Sequence, residues 1–347
     1  MITLLGKNIT ELTDIALSVG LPKYAGKQLA HWLYVKRAVS FDEMTNLSLT
    51  GREALKKKYQ VGRYAPIAEA HSQDGTCKYL FEIKSDGTKK ETYIETVYLP
   101  ETDRATLCVS TQAGCRMGCK FCMTGTLGFQ QHLTAADILN QIFTVDDLHG
   151  RSLTNIVYMG EGEPLDNVRE VLQSLTVLTS DWGCSWSPHR ITVSTVGFNL
   201  GLTTFLDGCD CHLAISLHNP FPAERAQIMP AQRAYPIEQT LEILKRYDFS
   251  SQRRLSFEYI CFGGKNDSLL YAQQLVKLLQ GLPCRVNLIR FHQGNMSNHN
   301  LPASDEQQMI YFRDYLSEHG VICTIRRSRG EDILAACGML VNDLKKK

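Results

Sequence analysis

GCRMGCKFC, residues 114–122, holds three cysteines at the spacing C-x3-C-x2-C and follows an apolar run at 105–109. Thiolates this close on one loop converge on one point and repel one another unless a cation or a cluster neutralises them. A closed structural zinc site takes four ligands, whereas a [4Fe–4S] cluster held by three cysteines keeps one iron open for another ligand. The count therefore favours an open-iron cluster on Cys115, Cys119 and Cys122. A partial zinc knuckle completed by a distant Cys or His is the alternative.

The composition of the chain limits the kinds of protein it can be. Its 347 residues, 44% of them apolar, suffice for one large core or two domains. Twelve cysteines without a signal peptide predict a cytoplasmic protein with reduced thiols, and no run of eighteen apolar residues offers a membrane span. A net charge of +1 does not by itself indicate a nucleic-acid partner, but local basic clusters could bind one. The alternative is that each cluster is an ordinary solvated face. The clusters lie at 56–58, 326–329 and 345–347.

Residues 1–62 are predicted to form a helical accessory domain, because apolar residues recur there at helical spacing. The region contains no catalytic grouping, and its Lys-rich faces suit either RNA docking or a purely structural cap. The predicted helices span 9–19, 25–35 and 50–59.

Residues 63–100 are predicted to form a β-hairpin linker. Its strands, 79–83 and 92–98, alternate apolar and polar residues on either side of an Asp-Gly turn at 85–87. By pattern alone, Glu95 is a polar residue on the outer face of the second strand.

From about residue 101 to 330, short β-rich runs alternate with helical segments. Repeated βα units with short turns predict an α/β fold, with a parallel sheet and outer helices. Six main units are too few for an eight-fold barrel, so we expect an open, partial (βα)6 barrel. The predicted strands are 106–110, 155–159, 190–195, 212–216, 255–260, 285–291 and 321–325. The predicted helices are 135–148, 168–179, 200–206, 237–246, 269–279 and 306–318.

Polar or glycine-rich clusters follow successive predicted strands, and in such a barrel chemistry gathers at the carboxyl ends of the strands. We therefore expect one shared site above the cysteine loop. An open iron needs a chelating ligand, and S-adenosylmethionine (SAM) offers an amino group, a carboxylate and a nucleoside. Gly162 would let backbone approach closely, and Glu163 could accept from the methionyl ammonium. Side chains that could meet the carboxylate or the ribose are Ser194, Ser216 and His218.

Two further cysteines suggest thiol chemistry beside the cluster. Cys337 lies near the end of the chain among small residues, which leave its thiol accessible, and arginines lie close in sequence. Cys108 precedes the cluster loop at the point where the first strand reaches the rim of the barrel. The alternative is that both cysteines are buried structural residues, as most cysteines are.

The chain resembles the RlmN/Cfr family of radical-SAM RNA methyltransferases over nearly its whole length. The fold that the resemblance implies is a radical-SAM barrel at 101–330, followed by a segment at 331–347 that carries the methyl-accepting Cys337. The matching motifs are IETV (94–97), TLCVS (106–110), GCRMGCKFC (114–122), GEPL (162–165), SLH (216–218), VNLI (286–289) and AACG (335–338).

The resemblance implies a two-step use of SAM. One SAM methylates Cys337 by nucleophilic displacement. A second SAM, chelated to the open iron, is cleaved to a 5′-deoxyadenosyl radical that takes hydrogen from the methyl group on Cys337. The resulting carbon radical adds to an adenine carbon, and Cys108 then attacks Cys337, so that a transient disulfide forms as the methylated base leaves.

The family assignments carry over onto matching positions. They place the cluster on Cys115, Cys119 and Cys122, and they make Glu95 the proton acceptor. The implied product is 2-methyladenosine at adenosine 2503 of 23S rRNA and adenosine 37 of tRNA. We expect a monomer that takes its electrons from a donor such as flavodoxin. The implied SAM contacts are Gly162, Glu163, Ser194, Ser216, Leu217, His218 and His292.

Two departures from the family pattern concern SAM binding. Family members commonly read Gly-Met-Gly-Glu-Pro where this chain has GEGEP at 160–164, and they commonly have Asn where this chain has His292. The extra carboxylate, Glu161, either alters the potential around SAM or points away from it. Pro164 follows the RlmN pattern, whereas Cfr-like C8 methylation is the alternative within the family. A non-catalytic Fe–S RNA-binding or thiol redox protein is the alternative from another class.

Overall fold

The N-terminal module consists of three helices and a short parallel pair of strands. The computed structural model describes residues 1–83, 91–251, 253–292 and 301–340. Asn8 begins the first helix with a capping box, in which its side chain accepts from the Glu11 N–H at 2.9 Å. The elements are β1 (Ile2–Thr3), α1 (Ile9–Ser18), α2 (Ala25–Ala30), α3 (Leu49–Lys58) and β2 (Tyr59–Gln60). The predicted helix at 25–35 is thus only partly α-helical, since a wider π-helical segment, His31–Lys36, completes it.

The rest of the molecule is built on a ten-stranded sheet, and seven of its strands run parallel. The strands lie side by side in the order in which they occur in the chain. Its antiparallel strands are β3 (Ala68–His71), β4 (Cys77–Ile83) and β5 (Thr92–Pro100). Its parallel strands are β6 (Ala105–Cys108), β9 (Asn155–Tyr158), β10 (Ile191–Thr195), β11 (His212–Ser216), β12 (Leu255–Cys261), β13 (Cys284–Arg290) and β14 (Ile322–Ile325). A separate small pair is formed by β7 (Gln112–Ala113) and β8 (Gln131–His132).

Helices connect the parallel strands, as the alternating pattern predicts. A predicted helix exists in every one of the six gaps, with bounds that differ from the expected ones by no more than two residues. The sequence pattern missed two short helices, Met123–Thr126 after the cysteine loop and Pro222–Ile228 after β11. The helices are α4 (Met123–Thr126), α5 (Ala135–Leu148), α6 (Val168–Thr179), α7 (Asn199–Gly208), α8 (Pro222–Ile228), α9 (Ile237–Leu244), α10 (Leu269–Leu279) and α11 (Glu306–Glu318). No helix in the described ranges is long and apolar enough to cross a membrane.

The predicted hairpin strands continue the main sheet. β4 pairs antiparallel with β5, and β5 pairs antiparallel with β6, the first parallel strand. The Asp-Gly turn expected at 85–87 lies outside the described residues. Glu95, placed by pattern on an outer face, is fully buried, so that prediction is wrong. The reason is that other parts of the molecule cover both faces of β5, and alternation indicates an outer face only where a strand has one.

The N-terminal module packs directly against the barrel and shares its apolar core. Arg37, just after the π-helical segment, pairs with the buried Asp146 of α5 at 2.8 Å and with Asp147 at 3.0 Å. Arg63 reaches the same Asp147 at 2.8 Å. These pairs fix the module against α5.

Candidate active site

A cavity with an empty volume of about 850 Å³, including its open mouth, lies at the carboxyl ends of the parallel strands. It is within the usual size range of cofactor sites. Most of the residues selected from the sequence line it together, although they come from five separate stretches of chain. These residues are Cys115, Cys119, Cys122, Gly162, Glu163, Ser194, Ser216, His218 and Cys337.

The three cysteines of the loop after β6 form one wall of the cavity as free thiols. Burial raises the pKa of Cys115 to about 12 and raises the pKa of the Cys119 thiol well above its usual range. The neighbouring thiols raise the pKa of Cys119 further. Three half-buried thiols that oppose one another's ionisation are matched to a positively charged iron–sulfur core, which binds them as thiolates. Phe121 lines the same wall as the apolar side chain that the sequence suggested.

Gly162 and Glu163, after β9, form the neighbouring wall. Gly162 has φ of 99°, and a Cβ there would lie 2.6 Å from the Gln112 Cβ, so only glycine fits. The Glu163 carboxylate accepts from the backbone N–H groups of Leu165 at 3.0 Å and Val196 at 2.9 Å. Burial raises the pKa of Glu163 to about 7. The carboxyl group is thus held in place at the edge of the cavity, where it can meet an ammonium group.

His218, after β11, is held as a neutral imidazole. Burial lowers its pKa to about 3, and its Nδ1 accepts from the Ile260 N–H at 3.0 Å. Because Nδ1 accepts, Nε2 carries the proton and is a donor. The ring of Phe121 stands edge-on to the imidazole at 4.7 Å between centroids. Ser194 and Ser216, both half-buried, add hydroxyl groups to the same cavity.

Cys337 is brought over the cysteine loop by contacts of its own segment with α4. The Met123 N–H donates to the Gly338 carbonyl at 2.7 Å, and the Thr124 hydroxyl donates to the Leu340 carbonyl at 3.0 Å. Cys337 itself is exposed and lines the cavity. An accessible thiol therefore faces the same space as the three cysteines of the loop.

Cys108 lies at the end of β6, half-buried, close to the same segment. It packs against the apolar group that contains Ala335, two residues before Cys337. Burial raises the pKa of Cys108 to about 12, and the charge of Cys337 raises it further, while Arg326 acts in the opposite direction. The structure thus brings Cys108 and Cys337 near one another, although Cys108 is outside the cavity lining.

Glu95 is also outside the lining, on β5, where its carboxylate pairs with Lys78 at 3.0 Å. Both side chains are completely buried. Glu161 points toward this pair and away from the cavity, because its carboxylate accepts from the Glu95 N–H at 2.9 Å and the Gly114 N–H at 3.2 Å. The extra carboxylate of the GEGEP motif therefore connects β5 to the start of the cysteine loop.

Two of the expected SAM contacts lie off the cavity lining. Leu217 is completely buried, with its carbonyl accepting from Arg225 at 3.0 Å. His292 forms a 2.6 Å hydrogen bond between its Nε2 and the Ser328 hydroxyl, and its Nδ1 is 3.3 Å from Glu331.

Sequence reasoning missed two charged residues of the lining, Glu258 on β12 and Arg326 after β14. They pair at 3.3 Å, and Glu258 also accepts from Asn287 at 2.8 Å. Burial alone would lower the pKa of Arg326, but nearby anions, with Glu258 first, raise it overall. A glutamate inside an apolar strand was the available signal for Glu258. The strand-end rule, applied to β14, would have indicated Arg326.

The fold and the site together define a class of protein. Three cysteines on the loop after the first parallel strand face a strand-end cavity lined by glycine, carboxyl and hydroxyl groups, as in radical SAM proteins. Residues 109–273 match the model of the radical SAM superfamily. Residues 2–61 match the ribosomal RNA large subunit methyltransferase N-terminal domain.

Comparison with individual proteins narrows the class to a family. The chain is 56% identical over 337 residues to a probable dual-specificity RNA methyltransferase RlmN of Phocaeicola vulgatus, covering 97% of this chain and 94% of that protein. It is 40% identical to the Thermus thermophilus protein of the same name, covering 91% and 88%. The crystal structure of a radical SAM methyltransferase from Sphaerobacter thermophilus matches with a TM-score of 0.89 at 36% identity, covering 98% and 99%. The chain belongs to the RlmN family of radical SAM methyltransferases.

Family membership also gives the cofactors. Radical SAM proteins use a [4Fe–4S] cluster and SAM, so the zinc alternative left open by the cysteine spacing no longer applies. The free, half-buried thiols and the polar strand ends beside them fit these two groups.

Proposed function

We propose that this chain methylates C2 of adenosine 2503 in 23S rRNA and of adenosine 37 in tRNA, through a methyl group carried on Cys337. The observation that supports the proposal best is the position of Cys337, an exposed thiol in the cavity that the three loop cysteines also line. A protein that only bound RNA would need no such thiol. The relatives named as dual-specificity RNA methyltransferases support the choice of RNA substrates.

Each group of residues has a separate task in this proposal. Cys115, Cys119 and Cys122 hold the cluster, while Glu163 meets the methionyl ammonium and His218 donates to the carboxylate or the ribose. When bound, the cluster and SAM supply the one-electron chemistry that takes hydrogen from the methyl group on Cys337 and makes its carbon reactive toward adenine. The protein holds these groups in place and limits the access of water.

Release of the product is the task of Cys108. Its thiolate would attack the Cys337 sulfur to form a disulfide while the bond between that sulfur and the RNA-bound carbon breaks. The electron pair of the broken bond would leave with the carbon, which takes up a proton and becomes the methyl group of the base. Because burial raises the pKa of Cys108, this step needs help with ionisation. Arg326 lines the cavity and lowers the pKa of Cys108 by its charge, and so it would favour the thiolate.

The experiment that tests the proposal has two readouts. Mass spectrometry of the purified protein should find a methyl group on Cys337, and none in Cys337→Ala. Nucleosides from RNA that has been modified by the wild-type enzyme should contain 2-methyladenosine, and the Cys337→Ala protein should retain its iron but yield none. An unmodified Cys337 in active enzyme would exclude the carrier role, and 8-methyladenosine as the main product would establish the Cfr-like alternative.

We also propose that residues 1–62 contact the RNA. The last turn of α3 carries Lys56, Lys57 and Lys58, of which Lys57 and Lys58 are exposed. Replacing these two exposed lysines with Glu should weaken RNA binding and reduce the slope of its salt dependence, because fewer phosphate contacts release fewer counterions. Methylation of Cys337, which needs no RNA, should remain. Unchanged RNA affinity would leave the module with a structural role only.

A further inference from the structure

Arg225, on α8, is completely buried and surrounded by backbone carbonyl groups at the carboxyl ends of two neighbouring strands. Its Nε donates to Leu217 at 3.0 Å. One terminal nitrogen donates to both Val196 and Ser216, each at 2.8 Å. The other terminal nitrogen donates to the Gln232 side chain. One guanidinium therefore joins the end of β10 to the end of β11, where the cavity lining changes from Val196 to Ser216.

The same helix also supports the cysteine loop. The Lys120 N–H, one residue after Cys119, donates to the Ile228 carbonyl at the end of α8 at 2.9 Å. Two of the carbonyl groups that accept from Arg225, those of Val196 and Ser216, belong to residues that line the cavity together with Cys119. The guanidinium is thus held beside the cavity that the cysteine loop also lines.

Arg225 brings a positive charge that has no direct partner of opposite sign. Among the residues that the structure describes, Arg225 forms no direct ion pair, and the charge of Glu238 acts on it from beyond Gln232, which donates to the Glu238 carboxylate at 3.2 Å. Burial lowers the pKa of Arg225 only to about 10, so the group stays charged at neutral pH. A buried cation without a direct ionic partner is costly unless another anion lies nearby.

Bound cluster would be such an anion. Three thiolates outweigh the charge of the oxidised [4Fe–4S] core, and addition of one electron makes the assembly more negative. A nearby fixed cation stabilises the reduced form more than the oxidised form, and it does so strongly where water is excluded. The charge of Arg225 would therefore raise the reduction potential of the cluster and make the electron-accepting step easier.

We propose that Arg225 is a positioning residue with two effects: its hydrogen bonds hold the β10 and β11 ends against each other, and its charge offsets that of the cysteine-bound cluster. The inference rests on the cluster ligands proposed above, but not on the RNA substrate or the position that is methylated. The conservative change Arg225→Lys keeps the charge and loses the planar fork, which bridges the two strands. Arg225→Gln loses both.

The chain offers a matched control in Arg253. This second buried arginine also donates to backbone carbonyls, those of Leu206 at 3.0 Å and of Cys209. It lies near the amino end of β12, whereas the cavity lies at the carboxyl ends of the strands. Arg253→Gln removes a buried guanidinium, which also pairs with the exposed Asp210 at 3.5 Å, without touching the cavity. It therefore measures what loss of any buried arginine does to the protein.

The test compares the wild type, R225K, R225Q and R253Q as reconstituted proteins without RNA. Electron paramagnetic resonance during a redox titration gives the cluster potential, equilibrium dialysis gives the SAM affinity, and iron analysis gives the loading. We expect R225Q to lower the ratio of reduced to oxidised cluster at a fixed potential about tenfold, which is about 59 mV for one electron. R225K should stay near the wild-type potential but, like R225Q, bind SAM at least about tenfold more weakly, and R253Q should match the wild type in both.

Four results would overturn the proposal. An unchanged potential in R225Q would remove the role of the charge, and so would equal potentials in R225K and R225Q that both differ from the wild type. Unchanged SAM affinity in both Arg225 variants would remove the role of the hydrogen bonds. If R225Q does not fold, the cluster potentials of R225K and the wild type still test the proposal. A changed potential in R225K, which retains the charge, contradicts it. Loss of iron in Cys115→Ala is tested separately and concerns the cluster ligands alone.

Discussion

At the scale of single residues, Glu161 shows how a departure from a family motif can be structural. Its carboxylate accepts from the Glu95 and Gly114 N–H groups and does not reach the cavity. In this chain Glu161 is therefore a polar link between β5 and the cysteine loop. The sequence showed that the residue was unusual, but its direction depends on the packing of β5 against β6, which no local pattern contains.

Glu161→Gln should destabilise the cluster-free protein in a pH-dependent way. The amide keeps one acceptor and replaces the other with NH2, so one buried N–H loses its partner, at a cost of about 1–3 kcal/mol. Burial raises the pKa of Glu161 to about 8, above its unfolded value, so its stabilising contribution is complete at low pH and is lost as pH rises toward 8. The difference in the free energy of unfolding between the wild type and the variant should therefore shrink from pH 5 to pH 8.5. Urea denaturation at both values measures it, and a difference that grows with pH would contradict the assignment.

Glu95→Gln addresses the proposed proton acceptor. In the structure the Glu95 carboxylate pairs with Lys78 at 3.0 Å, and Glu95→Gln replaces that carboxylate with an amide. The variant should retain its iron and the methyl group on Cys337, yet form 2-methyladenosine at least about 100-fold more slowly, as expected when a general base is lost. Single-turnover assays with quantified nucleosides measure the rate. Wild-type rates would show that Glu95 only pairs with Lys78.

At the scale of elements, the sequence predicted the repeated strands and helices of the parallel sheet and missed the short helices. The parallel strands and their connecting helices recur with a clear period, and their bounds differ from the structure by a residue or two. By contrast, α8 has only seven residues, too few for a helical period to show, and only Pro222 at its start marked it. The residue that joins two strand ends, Arg225, lies in that missed helix. Its role depends on tertiary contacts with carbonyl groups, which have no sequence signature.

The segment that carries Cys337 depends on one aspartate of the β3–β4 turn. The Asp74 carboxylate accepts from the Arg329 Nε at 2.9 Å and the Gly330 N–H at 3.0 Å. Asp74→Ala should lower the opening free energy of residues 326–340 by about 1.5–3 kcal/mol, because these hydrogen bonds involve a charged group. Hydrogen exchange of that segment should then be about 10- to 100-fold faster, and RNA methylation should fall while iron is retained.

Glu101→Ala is the matched control for this prediction. Its carboxylate pairs only locally, with the exposed Arg104 at 3.0 Å. Exchange in residues 326–340 should be unaffected by it. Equal exchange in Asp74→Ala and in the wild type would mean that the contacts with α4 hold the segment alone.

At the scale of the whole molecule, the N-terminal module and the barrel form a single packed unit. The apolar core runs continuously from Leu4 to Cys323. The sequence analysis set the module at residues 1–62 and did not indicate how closely it packs against the rest of the molecule. Its contacts with α5 depend on pairing between residues about a hundred positions apart, such as Arg37 and Asp146.

Arg37→Met should destabilise the whole protein by about 3–5 kcal/mol, because it leaves the buried Asp146 without its ionic partner. Arg151→Met is the control. Arg151 has the same left-handed backbone as Arg37, with φ of 61° against 60°, but its side chain is 53% exposed where it pairs with Asp147. Its loss should cost about 0–1 kcal/mol. Urea denaturation should show one transition for all three proteins, and separate transitions for module and barrel would contradict a shared core.

The antiparallel pairing of β5 with β6 has a consequence for how this enzyme can change in evolution. Val97 stands opposite Cys108, and Glu95 lies two residues from Val97. The proposed proton acceptor, Glu95, and the thiol that would release the product, Cys108, therefore share one face of the sheet. A single-residue insertion or deletion in either strand would turn one of them to the reverse side. Length changes here are therefore tolerated only in steps of two. We expect indels among relatives to collect in the turns and to spare this pair of strands.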